Sequence, residues 1–217
     1  MFVQKENCVT NFDFAKPATS RAIGAALLAA AMTLCGNAAA AENVSLDDMR
    51  AAVEKYKDVN AALADGYIQD PSGHCVHAAA EGMPMEWGAM GIHYLRPDLL
   101  KLSPPGGRVN GMGTHTDFMQ PAILLYEPRD DGSLELVGAE NLVFKEAWHA
   151  AGHDGPPMLN GRAWDHMADD PATEGDEAHG FMPHYDQHVW LFRENPSGDL
   201  MPFNPNVTCE HHAGMGH

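Results

Sequence analysis

Between positions 45 and 66 apolar residues recur at three- and four-residue steps, namely Leu46, Met49, Val53, Tyr56, Val59 and Leu63. That spacing lines one face of an α-helix. Ser45 with Asp48 three residues on forms a capping-box pattern at the start, and Gly66 closes the stretch, so one continuous helix is predicted over 45–66. Downstream, short apolar runs at 91–95, 122–126, 134–144 and 185–192 have the length of strands. Pro128 followed by Asp130-Asp131-Gly132-Ser133 is good turn chemistry and predicts a hairpin from the second and third runs. A short helix is expected over 144–152. Segments 67–91, 103–113 and 154–183 are punctuated by glycine and proline and read as long loops, the last lying over one face of the sheet. The predicted fold class is α+β: a single domain with an N-terminal helix packed on an antiparallel β-sheet and long loops closing one face.

The first 41 residues stand apart. Lys5, Lys16 and Arg21 precede an uncharged run over 22–35, and Ala38 to Ala41 supply the small residues a signal peptidase needs. The run is too short to span a bilayer. A signal peptide over 1–41 and one exported domain over 42–217 are expected, with no membrane anchor after cleavage and a periplasmic or secreted location.

The exported part carries 10 Lys+Arg against 28 Asp+Glu. Such a surface repels a phosphate backbone, which excludes nucleic acid as a partner, and attracts cations. It also keeps all 13 histidines, which makes metal binding the first chemistry to consider. Only Cys75 and Cys209 remain after cleavage. Export favours a disulfide between them, contributing roughly 4 to 5 kcal/mol on the loop-entropy model. The rival is thiolate metal ligation, suggested by His74-Cys75-Val76-His77.

A set of motifs runs along the domain: Met90-Gly91-Ile92-His93-Tyr94, Leu124-Leu125-Tyr126-Glu127-Pro128, Val137-Gly138-Ala139-Glu140, His188-Val189-Trp190-Leu191-Phe192-Arg193-Glu194-Asn195-Pro196-Ser197-Gly198, and Asn204-Pro205 before Cys209. As a set these resemble a family of exported, functionally uncharacterised bacterial proteins. The resemblance implies export and a single domain, and it brings no activity with it.

Three strand-like runs each enclose one ionisable residue: His93, Glu140 and His188. Such groups are costly to bury unless hydrogen-bonded or bound to a metal. Two imidazoles with one carboxylate form a ligand set for zinc, iron, manganese or copper. These three are the expected inner metal site; a hydrogen-bonded His-Glu-His core and three separate solvent-facing residues are the alternatives. In the last strand, alternation puts His184, Asp186 and His188 on one face. Steps of about 7 Å are too long for all three to hold one ion, so two of them plus a residue from elsewhere is the better arrangement. His184, Asp186, Glu127 and Met90 are held in reserve as ligands.

Met83, Met85 and Met90 precede His93, and Met112 lies three before His115; thioethers beside imidazoles suit copper, though methionine also fills cores. The tail over 210–217 offers His211, His212, Met215 and His217 as a weaker metal site. Glu146, His149 and His153 could share one helix face. There is no His-Glu-x-x-His, Cys-x-x-Cys, Gly-x-Ser-x-Gly or phosphate-binding glycine loop, so the common zincin, thioredoxin-like, esterase and nucleotide-binding signatures are absent. The expected function is an exported, periplasmic metal-binding protein with a copper, zinc or iron ion and a copper-related role as one form. A metal-dependent enzyme acting on a small molecule through the same triad, and a metal-free interaction domain, are the alternatives.

Overall fold

The computed structural model of the chain describes residues 43–173 and 175–212, so the expected signal peptide lies outside the described residues. Ser45 starts helix α1 (Leu46–Val53) as its pattern predicts, its Oγ accepting the Asp48 N–H at 3.1 Å. The helix does not run on to residue 66. It tightens into a 3-10 turn at Glu54–Lys57 and stops at Asp58, whose backbone is extended and whose carboxylate accepts the Asn60 N–H at 2.9 Å. Aspartate is a strong N-cap, so a local cap divides a hydrophobic period that reads as unbroken. The second helix, α2 (Val59–Ala64), takes a new phase that buries Ala62 and leaves Leu63 about half exposed.

The strands are β1 (Ile68–Gln69), β2 (Cys75–His77), β3 (Ala89–Leu95), β4 (Ile123–Pro128), β5 (Leu134–Phe144), β6 (Met158–Leu159), β7 (Arg162–Ala163), β8 (Asp165–Met167) and β9 (His184–Trp190). Helices α3 (Pro97–Leu100) and α4 (Lys145–Ala150) follow β3 and β5. The main sheet runs β1-β3-β4-β5-β9-β8 with β2 also on β3, and all its pairings are antiparallel. The β4–β5 hairpin closes as expected: the Arg129 N–H donates to the Ser133 carbonyl at 2.9 Å, and Gly132 takes the positive φ the turn requires.

The sheet's two faces are covered differently. On one, Tyr126 packs edge-on against Tyr94 and donates its hydroxyl to the Tyr56 carbonyl at 2.7 Å, so the N-terminal helices lie there. On the other lie the loops around 103–113 and 154–183. They are tied to each other by the Val109 N–H to the Gly180 carbonyl and the Met182 N–H to the Val109 carbonyl, both 2.8 Å. At Gly111 a Cβ would meet the Leu100 carbonyl at 2.4 Å and the Phe144 ring at 2.6 Å; the first loop lies so close to the sheet that only glycine fits. The stretch read as a single loop over 154–183 also supplies β6 and β7, which pair with each other, and β8, an edge strand.

Cys75 on β2 is disulfide-bonded to Cys209, with Cα atoms 5.7 Å apart, so neither is a thiolate ligand. Among the described residues no helix is long and apolar enough to cross a membrane.

Candidate metal centre

The strand register builds the site. Glu140 on β5 pairs with His188 on β9 and with Ile123 on β4, while His93 on β3 pairs with Leu125 on β4. Paired residues share a face, and Ile123 and Leu125 alternate with Leu124, so all of these project on the face away from the helices. His93 and Glu140 therefore reach toward each other over β4. His93 Nε2 stands 3.2 Å from Glu140 Oε2, and His188 Nε2 stands 3.4 Å from the same oxygen. The two imidazole rings are 6.3 Å apart and nearly perpendicular. All three side chains are buried.

A second group adjoins the first. His184 and Asp186, farther along β9 on the same face, meet His179 from the covering loop, and their donor atoms lie within 4.8 Å of one another. His184 donates its Nδ1–H to the Met182 carbonyl at 2.9 Å, and its Nε2, 3.8 Å from Asp186 Oδ2, has no hydrogen-bond partner. The same carboxylate oxygen is 3.9 Å from His188 Nδ1. At the outer end, His179 Nδ1 is 3.3 Å from Glu81 Oε2, a charge contact without hydrogen-bond alignment.

These residues are short of partners. Apart from Asn141 Nδ2 and Trp164 Nε1, every buried side-chain nitrogen or oxygen lacking a hydrogen-bond partner among the described residues belongs to Glu81, His93, Glu140, His179, His184, Asp186 or His188. Each such atom costs about 1 to 3 kcal/mol if left unsatisfied, and these atoms are concentrated in one place. No family model, curated protein or solved structure matches the chain.

Protonation follows from the surroundings. Burial pushes the His188 imidazole below its ordinary value in spite of Glu140 and Asp186, so the ring is neutral at pH 7 and able to ligate. Burial opposes charge on Asp186, but His184, His188 and His179 outweigh it and hold the carboxyl below the usual range. Burial likewise opposes charge on His179, yet Glu81, Asp186 and Glu140 together raise its pKa.

The geometry of the first group suits an ion. Two ligands each about 2.0 to 2.1 Å from one tetrahedral zinc-like ion stand about 3.3 Å apart, and the observed separations are 3.2 and 3.4 Å. His93, Glu140 and His188, whose donor atoms all lie within 4.8 Å of one another, could hold one ion. The chemistry available is that of a borderline, imidazole- and carboxylate-bound divalent metal.

The other sequence candidates lie elsewhere. Met90 is buried in a separate apolar cluster with Val76, Ala78 and Phe203, while Met83, Met85 and Met112 are exposed. The thioethers thus do not surround the imidazoles. Glu127 is taken up by Arg129 at 2.8 Å, Arg193 at 2.7 Å and the Thr208 N–H at 2.9 Å, and fastens the C-terminal segment to β4 instead of joining the cluster. On α4, His149 is occupied by the His153 carbonyl and the Tyr185 hydroxyl, and the His153 ring stacks on Trp148. His211 is exposed and His212 half-buried; Met215 and His217 of the proposed tail site lie outside the described residues.

Two members, His179 and Glu81, were not singled out from sequence. His179 sits in a polar loop and Glu81 in a 3-10 turn at Ala78–Glu81, with no periodicity to place either. The available signals were the expectation that the 154–183 loop covers the sheet, and the need for one ligand from outside β9. Both residues line a cleft of about 460 Å³ whose other walls include His74, His77, Asp176 and His212. It connects the cluster's outer end to solvent.

Proposed function

We propose that the protein is an exported metal-binding protein whose inner site is His93, Glu140 and His188. The observation that carries it is the convergence of two buried imidazole Nε2 atoms on one oxygen of a buried carboxylate, at 3.2 and 3.4 Å, with neither contact aligned as a hydrogen bond. A hydrogen-bonded core would have satisfied these atoms. Export is supported by the disulfide, which forms and persists in oxidising compartments, and by the signal-like pattern of the first 41 residues. Imidazole and carboxylate donors suit zinc, iron, manganese or copper(II), and the placement of the methionines gives no support to a thioether-bound copper(I) site.

The test is elemental analysis of protein purified without a histidine tag from the oxidising compartment of a host expressing the full chain. At least one equivalent of a transition metal is expected, lost in His93→Ala/His188→Ala and kept in Met83→Ala/Met85→Ala/Met112→Ala. Metal at background in the wild type, even after reconstitution with copper, zinc and iron, overturns the proposal.

The cleft favours a second reading, a metal-dependent enzyme acting on a small molecule, since about 460 Å³ falls within the size range of small-molecule sites. Exchangeable water on the bound metal, detected by solvent proton relaxation with a paramagnetic ion, favours the enzyme; its absence favours storage or transfer of the metal.

A further inference from the structure

We propose that the cluster is a two-metal centre in which His188 is the shared ligand, its Nε2 on the ion held by His93 and Glu140 and its Nδ1 on a second ion held by His179, His184 and Asp186. The inference rests on the metal-binding reading above and extends it to a second site.

The two nitrogens of His188 carry it. A neutral imidazole has one N–H and one lone pair, and a ligating histidine normally donates its other N–H to a carbonyl or carboxylate. His184 does so, through Met182. His188 does not: both of its nitrogens are buried, and neither has a hydrogen-bond partner. Each instead faces a donor group. Nε2 is 3.4 Å from Glu140 Oε2 on one side, and Nδ1 is 3.9 Å from Asp186 Oδ2 on the other. The latter distance is too long for Asp186 to be the hydrogen-bonded orienter of a single-metal site. It leaves Asp186 Oδ2 facing both His188 Nδ1 and, at 3.8 Å, His184 Nε2.

His179 completes the second set. Its side chain is more than nine-tenths buried, and neither ring nitrogen has an aligned hydrogen bond. Its ring lies 6.1 Å from that of His184 and 6.4 Å from that of His93, so the loop places it at the junction of the two groups. Glu81 faces His179 Nδ1 from the cleft wall and would accept its proton in a hydrogen bond once Nε2 is engaged. The cleft reaches His179 and Glu81 at the outer end of this set.

The proton balance is simple. Neutral His188 keeps one N–H when the first ion binds its Nε2. Binding of the second ion to Nδ1 displaces that proton to solvent, and the ring becomes an imidazolate with a lone pair on each metal.

The probe is copper(II) added to the metal-stripped full chain, followed by dialysis, elemental analysis and integrated electron paramagnetic resonance at low temperature. About two equivalents are expected to remain, given the affinity of copper for nitrogen sites. The first equivalent should give the full signal of one copper. The second should lower the integrated signal below that of one copper per chain, because an imidazolate couples the two spins antiparallel, and zinc in place of the second copper should restore it.

His179→Ala changes a loop residue and spares the sheet. It should bind a single copper with an undiminished signal, and its circular dichroism and intact disulfide report that it is folded. Two coppers giving the full signal of two would overturn the bridge. One copper in the wild type overturns the second site while leaving the first reading intact. No copper in the wild type removes both. Two coppers retained by His179→Ala would overturn the assignment of that residue.

Discussion

His188 lies directly across from Glu140 in the β5–β9 pairing, and its Nε2 stands 3.4 Å from Glu140 Oε2 in a part of the sheet closed to water. Two central strands that build the core thereby also build the ligand set. If the proposed ion binds there, stability and metal binding are linked, because whatever binds the folded chain in preference to the unfolded one stabilises it.

Adding the bound metal at about a hundredfold over its dissociation constant should stabilise the protein by about 2.7 kcal/mol. For a domain of this size that is roughly a 5 to 10 °C rise in melting temperature. A chelator should reverse the rise in a thermal scan. His93→Ala/His188→Ala should melt at one temperature with and without metal; a metal-induced rise in that variant would place the ion elsewhere.

Metal-free protein should show two opposed pH effects. The folded pKa of His188 is depressed by burial, so the unfolded chain binds its proton first, and stability is lost as pH falls below the unfolded imidazole value of about 6.5. For His179 the folded pKa is raised. Its contribution is full below about pH 6.5 and is lost as pH rises through the folded value. In urea unfolding, His188→Gln should flatten the acid side of the stability curve and His179→Gln the alkaline side. Steeper limbs in these variants would contradict the assignment.

Much of this arrangement is legible in the chain, and the reasons differ by element. The runs that became β3, β4 and β5 are largely apolar and almost wholly buried, so tertiary context had little to override, while β9 was marked by the apolar end of its run, Val189-Trp190, and by the alternation before it. His93, Glu140 and His188 were conspicuous as ionisable residues inside such runs, and alternation placed His184 and Asp186 on one face. Asp58 was hidden because an apolar period of 3.6 carries straight across it, whereas an N-cap is a local hydrogen bond that periodicity does not register. His179 and Glu81 owe their position to where a loop lands on the sheet, a long-range contact with no local signature. Met90, by contrast, looked like a ligand by neighbourhood and proved to be core.

Gly91 tests how tightly the strand geometry is specified. It has φ of +96°, and a Cβ there would meet the Tyr126 carbonyl at 2.5 Å. Gly91→Ala should destabilise the fold by about 1 to 3 kcal/mol, from strain in both the backbone and the β3–β4 pairing. Because His93 lies two residues on, metal affinity should fall with it. Chemical denaturation and metal titration of the one variant would register both effects, and an unchanged midpoint would mean the strands part without cost.

Removing the disulfide in Cys75→Ser/Cys209→Ser should lower stability by about 2 to 5 kcal/mol, read from denaturant midpoints against the oxidised wild type. Reduction of the wild type should produce a loss of the same size, since the same tether is removed. A midpoint that reduction leaves unchanged would show that the unfolded chain gains nothing from its release.

The bond between Cys75 and Cys209 spans 134 positions and encloses His93, Glu140 and His188. A single proteolytic nick in the glycine- and proline-rich stretch at 103–113 therefore cannot release a fragment. It yields two polypeptides still joined covalently, His93 on one and Glu140 and His188 on the other, with the donors of one site shared between them inside a single molecule.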